Sequence, residues 1–171
     1  GLYVGAIIRK IMTTQEITHM IAVSTILTLI SAPMASVAAS TFPSLSMVMT
    51  GAEVCDPKII NHWVDALPDA RIINAYGPTE ATIVCLCHHI QTSDAGRAET
   101  FPIGKALSNV TLLLLDEDGT ESDEGELCIG GPLVMRGYYK RPDLTDDVIF
   151  ERDGTRYYRS GDICKRLPDG A

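Results

Sequence analysis

The sequence predicts an α/β protein: a mostly parallel sheet with flanking helices, followed by a smaller antiparallel, barrel-like β portion. Between residues 17 and 75, short β-branched runs and longer apolar stretches alternate in the order strand, helix, strand, helix, strand. That order belongs to a parallel sheet covered by helices. Residues 18–52 contain no Lys, Arg, Asp or Glu, as buried strands and a buried helix require. Beyond residue 90, short apolar runs are separated by Gly-, Asp- and Pro-rich turns, the pattern of an antiparallel portion.

Taken in order, residues 17–23 read as a strand and residues 25 to about 36 as an apolar helix. A strand over 45–50 stops at Gly51-Ala52-Glu53. Asp56 can cap the following helix, in which Ile59, Ile60, Trp63, Val64 and Leu67 keep helical spacing. Pro68-Asp69 ends it, and 71–75 is the next strand. Residues 82–90 are strand-like and 91–99 form a polar loop. Strands over 110–115 and 125–130 are joined by the acidic turn at 116–124. Residues 141–150 include a short helix opened by Pro142, and Tyr157-Tyr158 begins another extended segment.

Composition excludes several classes. With 46% hydrophobic residues in 171, the chain can bury a core and is not a disordered segment. A formal net charge of -8 argues against a nucleic-acid partner, which needs a basic face. The charge-free run is long enough to span a bilayer, but Pro33, Pro43, His19 and scattered Ser and Thr interrupt it, and no cationic cluster flanks it closely. Five cysteines (55, 85, 87, 128 and 164) are an odd number without a framework spacing, so a reduced, cytoplasmic protein is expected. The first residue is Gly1 and no secretory leader is visible, so an internal segment of a longer protein is expected. In Cys85-Leu86-Cys87-His88-His89, adjacent side chains of an extended strand point to opposite faces. Buried thiols are therefore expected there rather than a metal site.

The stretch richest in chemistry is Asn74-Ala75-Tyr76-Gly77-Pro78-Thr79-Glu80. Gly77 permits close approach of the backbone to a ligand, and Pro78 fixes one dihedral. Tyr76 offers an aromatic face, Thr79 a hydroxyl and Glu80 a hard oxygen ligand suited to Mg²⁺. The same residues could also form an ordinary surface turn. Ligands of parallel sheets sit beyond the carboxyl ends of strands, where this heptapeptide and Gly51-Ala52-Glu53 are both expected. Near the C-terminus, the carboxylate of Asp162 follows the Ser160-Gly161 turn and can accept both hydroxyls of a ribose, although Ser-Gly-Asp is also a common turn. Gly125-Glu126-Leu127-Cys128-Ile129-Gly130-Gly131 and Arg136-Gly137-Tyr138-Tyr139 read as structural segments when taken singly.

Taken together, NAYGPTE (74–80), TGAE (50–53), PIGKAL (102–107), GELCIGG (125–131), RGYYKRPDLT (136–145) and YRSGD (158–162) resemble the adenylation domain of a nonribosomal peptide synthetase, within the acyl-adenylate-forming enzymes. The resemblance covers residues from about 45 to the end, and residues 1–44 match only loosely. It implies part of the large N-terminal subdomain of such an enzyme, with an α/β part to about residue 90 and a β-rich part over 91–171. The implied activity forms an aminoacyl adenylate and pyrophosphate from an amino acid and ATP. The acyl group then passes to phosphopantetheine on a peptidyl carrier domain, with condensation domains as further partners.

By the same resemblance, Tyr76 stacks on adenine, while Asn74, Ala75, Gly77 and the Gly51-Ala52-Glu53 backbone line its pocket. Thr79 contacts the α-phosphate, Glu80 holds Mg²⁺ and Asp162 binds the ribose. Val48, Thr50, Ala75, Ile83 and Val84, with Ile21, line the amino-acid pocket. Because those side chains carry no charge, a neutral acyl group is expected. The family's phosphate loop and small C-terminal subdomain have no counterpart in these residues, and Ser160 stands where threonine is commoner. An acyl- or aryl-CoA ligase and a non-catalytic nucleotide-binding module stand as alternatives.

Overall fold

The computed structural model describes residues 2–32, 37–54, 56–91, 97 and 99–171. They form two compact units. The first comprises Gly1–Ala75 and His88–Pro102, the second Tyr76–Cys87 and Ile103–Ala171.

In the first unit, α1 (Leu2–Thr14), β1 (His19–Ile21), α2 (Ser24–Ile30), β2 (Met47–Gly51), α3 (Pro57–Ala66) and β3 (Arg71–Tyr76) follow one another. The three strands are parallel, with Met20, Val48 and Ile72 in register, and Thr50 beside Asn74. Alternation along β2 turns Val48 and Thr50 into the interior. There Val48 and Ile72 pack with Leu27 and Ile30 of α2, Ile60, Trp63 and Val64 of α3, and Met12 of α1. The Trp63 indole N–H donates to the Ser31 hydroxyl at 2.8 Å, and Phe42 stacks on the ring at 6.0 Å.

Helix α3 follows its sequence cues. The Asp56 carboxylate accepts the Lys58 N–H, Pro57 occupies the first turn, and the Leu67 N–H closes on the Trp63 carbonyl. Helix α2 begins where expected and ends at Ile30. Its carbonyl end is held by α1, because the Arg9 guanidinium donates to Ile30 O at 2.5 Å and Ala32 O at 3.1 Å, a cationic cap of the helix terminus. The remainder of the expected helix, residues 33–36 with Pro33, lies outside the described residues, as does Cys55. The charge-free run is thus resolved into β1, α2 and β2. Among the described residues, no helix is long and apolar enough to cross a membrane.

The second unit holds β5 (Lys105–Ala106), β6 (Thr111–Leu115), β7 (Glu124–Gly130), α4 (Pro142–Val148), β8 (Ile149–Arg152) and β9 (Thr155–Lys165). Strand β4 (Leu86–Ile90) contributes its first two residues to this unit, pairing antiparallel with β5. Strands β6, β7, β9 and β8, in that order, make an antiparallel sheet. One face packs Leu114, Leu127 and Ile129 with Cys85 and Leu86, and the other gathers Leu113, Leu115, Cys128 and Tyr157. Strand β8, which the sequence did not reveal, joins β9 through Asp153 and Gly154, both at positive φ, the two-residue turn that matches strand twist.

The strand expected over 82–90 starts only at Leu86. Thr82 and Ile83 have φ of 59° and 72°, left-handed values incompatible with extended pairing. Their β-branched side chains mimic a strand in the sequence, but the backbone is turning back.

Candidate functional site

In the second unit, residues 76–85 fold into a closed loop. The Cys85 N–H returns to the Tyr76 carbonyl at 2.9 Å, and the Ala81 and Ile83 N–H groups both reach Pro78 O at 3.1 Å. Thr79–Ala81 makes a single 3₁₀ turn. Gly77 is obligatory at the neck, since a Cβ there would stand 2.5 Å from the Ile83 carbonyl oxygen. The loop is moored to the segment before α4: the Met135 N–H donates to Glu80 O at 2.7 Å, and the Thr82 hydroxyl to Leu133 O at 2.8 Å.

This framework sets the side chains. Thr79 is exposed and Glu80 half-buried. The Tyr138 hydroxyl donates to Glu80 Oε1 at 2.6 Å, and that bond is the main reason its phenol is pushed well above its ordinary value. Glu80 Oε2 accepts no hydrogen bond among the described residues. Tyr158, on β9, is also shifted up, first by burial and then by the Glu80 charge. Tyr76 packs part of its ring on the apolar cluster, and its hydroxyl donates to Asp162 Oδ2. Burial and then this bond raise the Tyr76 phenol far above its usual range. Tyr76 and Glu80, from the heptapeptide, and Asp162, from the separate YRSGD segment, therefore belong to one unit.

Asp162 owes its position to an irregularity in β9. Glu126 pairs with Ile163 and Cys128 with Arg159, so Ser160, Gly161 and Asp162 stand opposite Leu127 alone, an enlarged β-bulge. Gly161 takes a φ of 76°, open to glycine at little cost. The Asp162 N–H closes on Ser160 Oγ at 3.1 Å.

The first unit carries the rest of the predicted set. Gly51 ends β2 beside Ala75, and Ala52 turns the chain with φ of 65°. The Asn74 amide donates to Pro102 O at 2.8 Å. Thr50 and Ala75 are buried, and Val48 lies wholly inside the core, where it serves packing. Ile21 pairs with Met49, so alternation points it away from the face of Val48 and Thr50, and it is 76% exposed. In the second unit Ile83 is 71% exposed, carried outward by the turn at 82–83, and Val84 follows it before the strand begins.

Glu53 does more than its backbone suggested. Its carboxylate accepts the hydroxyls of Thr25 at 2.9 Å and Ser24 at 3.0 Å, in the first turn of α2. The Thr25 bond, then the Ser24 bond, holds its pKa below the usual value. A depressed carboxylate contributes stability above the unfolded-state pKa, and that stability is lost as pH falls through the folded value. Glu53→Gln is therefore expected to lower the melting temperature at neutral pH, with the difference from wild type closing as acid protonates the carboxylate. A difference independent of pH in calorimetric scans would contradict this.

The Cys-Leu-Cys-His-His stretch places Cys85 in the loop rather than in β4, fully buried, and burial pushes its thiol up to about 11. Among the described residues, no three His, Cys, Asp or Glu side chains converge as a metal cage. Glu80 still fits Mg²⁺ of the kind shared with a nucleotide, because that ion is commonly held by one or two carboxylates plus phosphate oxygens. Tyr138 fixes one carboxylate oxygen, and the other is available to the ion.

The family model described as AMP-binding enzyme matches residues 4–139. The chain belongs to the AMP-binding enzyme family. Tyrocidine synthase 3 of Brevibacillus parabrevis is 39% identical to this AMP-binding chain over 135 residues, 75% of the chain and 2% of the synthase. Nonribosomal peptide synthetase asaC of Aspergillus flavus is 37% identical over 140 residues, 76% of the chain and 14% of that protein. The Vibrio cholerae adenylation domain AlmE, solved with glycyl-adenosine-5'-phosphate, superposes with a TM-score of 0.79 at 25% identity, covering 98% of this chain and 32% of that one. The chain thus has the sequence pattern and fold of a peptide-synthetase adenylation domain, while spanning only a small part of each relative. Two groups that the sequence did not single out emerge from the geometry: Tyr138, which holds Glu80, and Glu126, beside the bulge. Both lie in motif segments, but pairing and register alone reveal what they touch.

Proposed function

We propose that the chain forms part of an ATP-dependent adenylation domain that joins an amino-acid carboxylate to AMP, releasing pyrophosphate, and then loads a phosphopantetheine-bearing carrier domain. The observation that carries this reading is the second unit's grouping of Tyr76, Thr79, Glu80 and Asp162 around one closed loop and one bulge. In this reading Tyr76, next to Gly77, presents its ring to adenine. The Asp162 carboxylate accepts from the ribose hydroxyls, exchanging its bond to Tyr76 for them. Thr79 donates to the α-phosphate, and Glu80, steadied by Tyr138, holds Mg²⁺. Bound there with the phosphates, Mg²⁺ supplies charge neutralisation as one anion approaches another. The residues contribute chiefly by orienting the two reactants and stabilising the negative charge on the oxygens of the reacting phosphate. Thr50 and Ala75, both uncharged, favour a neutral acyl group in this reading.

ATP–pyrophosphate exchange by the full-length protein, across a panel of amino acids, tests this. Exchange with neutral amino acids is expected, and acidic or basic ones should support little. Exchange only with fatty or aryl acids in the presence of coenzyme A would replace the reading with a CoA ligase. Nucleotide binding without any exchange would replace it with a non-catalytic module.

A further inference from the structure

We infer that Glu126 is a positioning residue for the ribose-binding carboxylate, acting on Asp162 by clamping the bulge that carries it. This rests on the reading of Asp162 given above. A stretch of three residues opposite one leaves backbone groups without ladder partners, and these must be satisfied in another way. Glu126 does so from the neighbouring strand. Its Oε1 accepts the Gly161 N–H at 3.2 Å, and its Oε2 accepts Arg159 Nη1 at 2.6 Å. One carboxylate thereby grips both sides of Ser160. The Arg159 guanidinium lies 4.9 Å from the Phe150 ring centroid, which fixes the cationic arm of the clamp.

The remaining bonds of the bulge are local. Ser160 Oγ takes the Asp162 N–H, and Asp162 reaches Tyr76 through its carboxylate. Among the described residues, Glu126 is therefore the one side chain of another strand that holds the backbone of this turn. Alternation along β7 turns Glu126 to the face opposite Leu127, so it governs the site through the turn rather than by touching the nucleotide.

The test uses the full-length protein and the ratio of kcat/KM for ATP to that for 2′-deoxy-ATP in pyrophosphate exchange. Glu126→Ala is expected to raise KM for ATP about 10-fold, the effect of losing one charge-assisted hydrogen bond, with kcat nearly unchanged. The preference for ATP should fall by the same factor. Asp162→Ala should abolish that preference, and the double variant should be no worse than Asp162→Ala, because the two residues act as one unit. Should Glu126→Ala fail to fold, Glu126→Gln keeps an acceptor for Gly161 and loses the ion pair. A partial fall in preference with an intact cooperative melt is expected of it. If Asp162→Ala lowers the preference while a folded Glu126 variant does not, the positioning role is overturned and the ribose role stands. If Asp162→Ala leaves the preference intact, both are overturned.

Discussion

Glu80→Gln is expected to slow ATP–pyrophosphate exchange by about 10²–10³-fold, the size associated with removing one preorganised group from a charge-stabilising site. The substitution is chosen because glutamine still offers an oxygen to the Tyr138 hydroxyl, now 2.6 Å from Glu80 Oε1. The loop's backbone bonds to Met135 and within 76–85 do not involve the side chain. The fold should therefore persist while the hard anionic oxygen offered to Mg²⁺ is lost, and the Mg²⁺ concentration for half-maximal rate should rise. Tyr138→Phe should show a weaker form of the same shift, about 10-fold, since it leaves the carboxylate present but unsteadied. Unchanged exchange and an unchanged Mg²⁺ requirement in Glu80→Gln would remove the metal role from this residue.

Trp63→Ala is expected to cost about 3–5 kcal/mol of folding stability, the usual range for emptying a large aromatic site in a packed core. Trp63 has no exposed surface and packs among Leu27, Ile30, Val48, Ile60 and Ile72. Removing it leaves a void, strips Phe42 of its stacking partner and orphans the Ser31 hydroxyl as an acceptor. A loss of this size approaches the whole stability of many domains. Urea unfolding followed by circular dichroism should show the midpoint collapsing. A shift below about 1 kcal/mol would mean the core closes over the gap far better than its packing implies.

How legible the molecule was from its sequence varied with the origin of each structure. Helix α3 could be read almost residue by residue, because its cap, its proline and its apolar spacing are local. The parallel strands were legible in type, and their ends shifted by a residue or two. Helix α1 was not foreseen, although Val4, Ile7, Ile8, Ile11 and Met12 keep helical spacing; Tyr3, Val4, Ile7 and Ile11 are exposed while Met12 is buried. The segment 82–85 misled, since Thr, Ile and Val favour strands, yet here they occupy a turn closed by hydrogen bonds to Pro78 and Tyr76. Tyr76, Glu80 and Asp162 were named from motifs. Glu126 and Tyr138 lay in quoted motifs without roles, because their importance arises from a register slip and a contact more than fifty residues apart in sequence. The facing of Ile21 was hidden for a related reason: in a three-residue strand it depends on the neighbour's register.

The backbone passes between the two units three times, after Ala75, after Cys87 and after Pro102. Each half is thus assembled from separated lengths of polypeptide, and no single cut frees either one from a remnant of the other. A cut after Pro102 keeps the first unit but carries Tyr76–Cys87 of the second with it, and a start at Tyr76 keeps the second but carries residues 88–102 of the first. Dissecting this molecule calls for circular permutation or for co-expressed pieces.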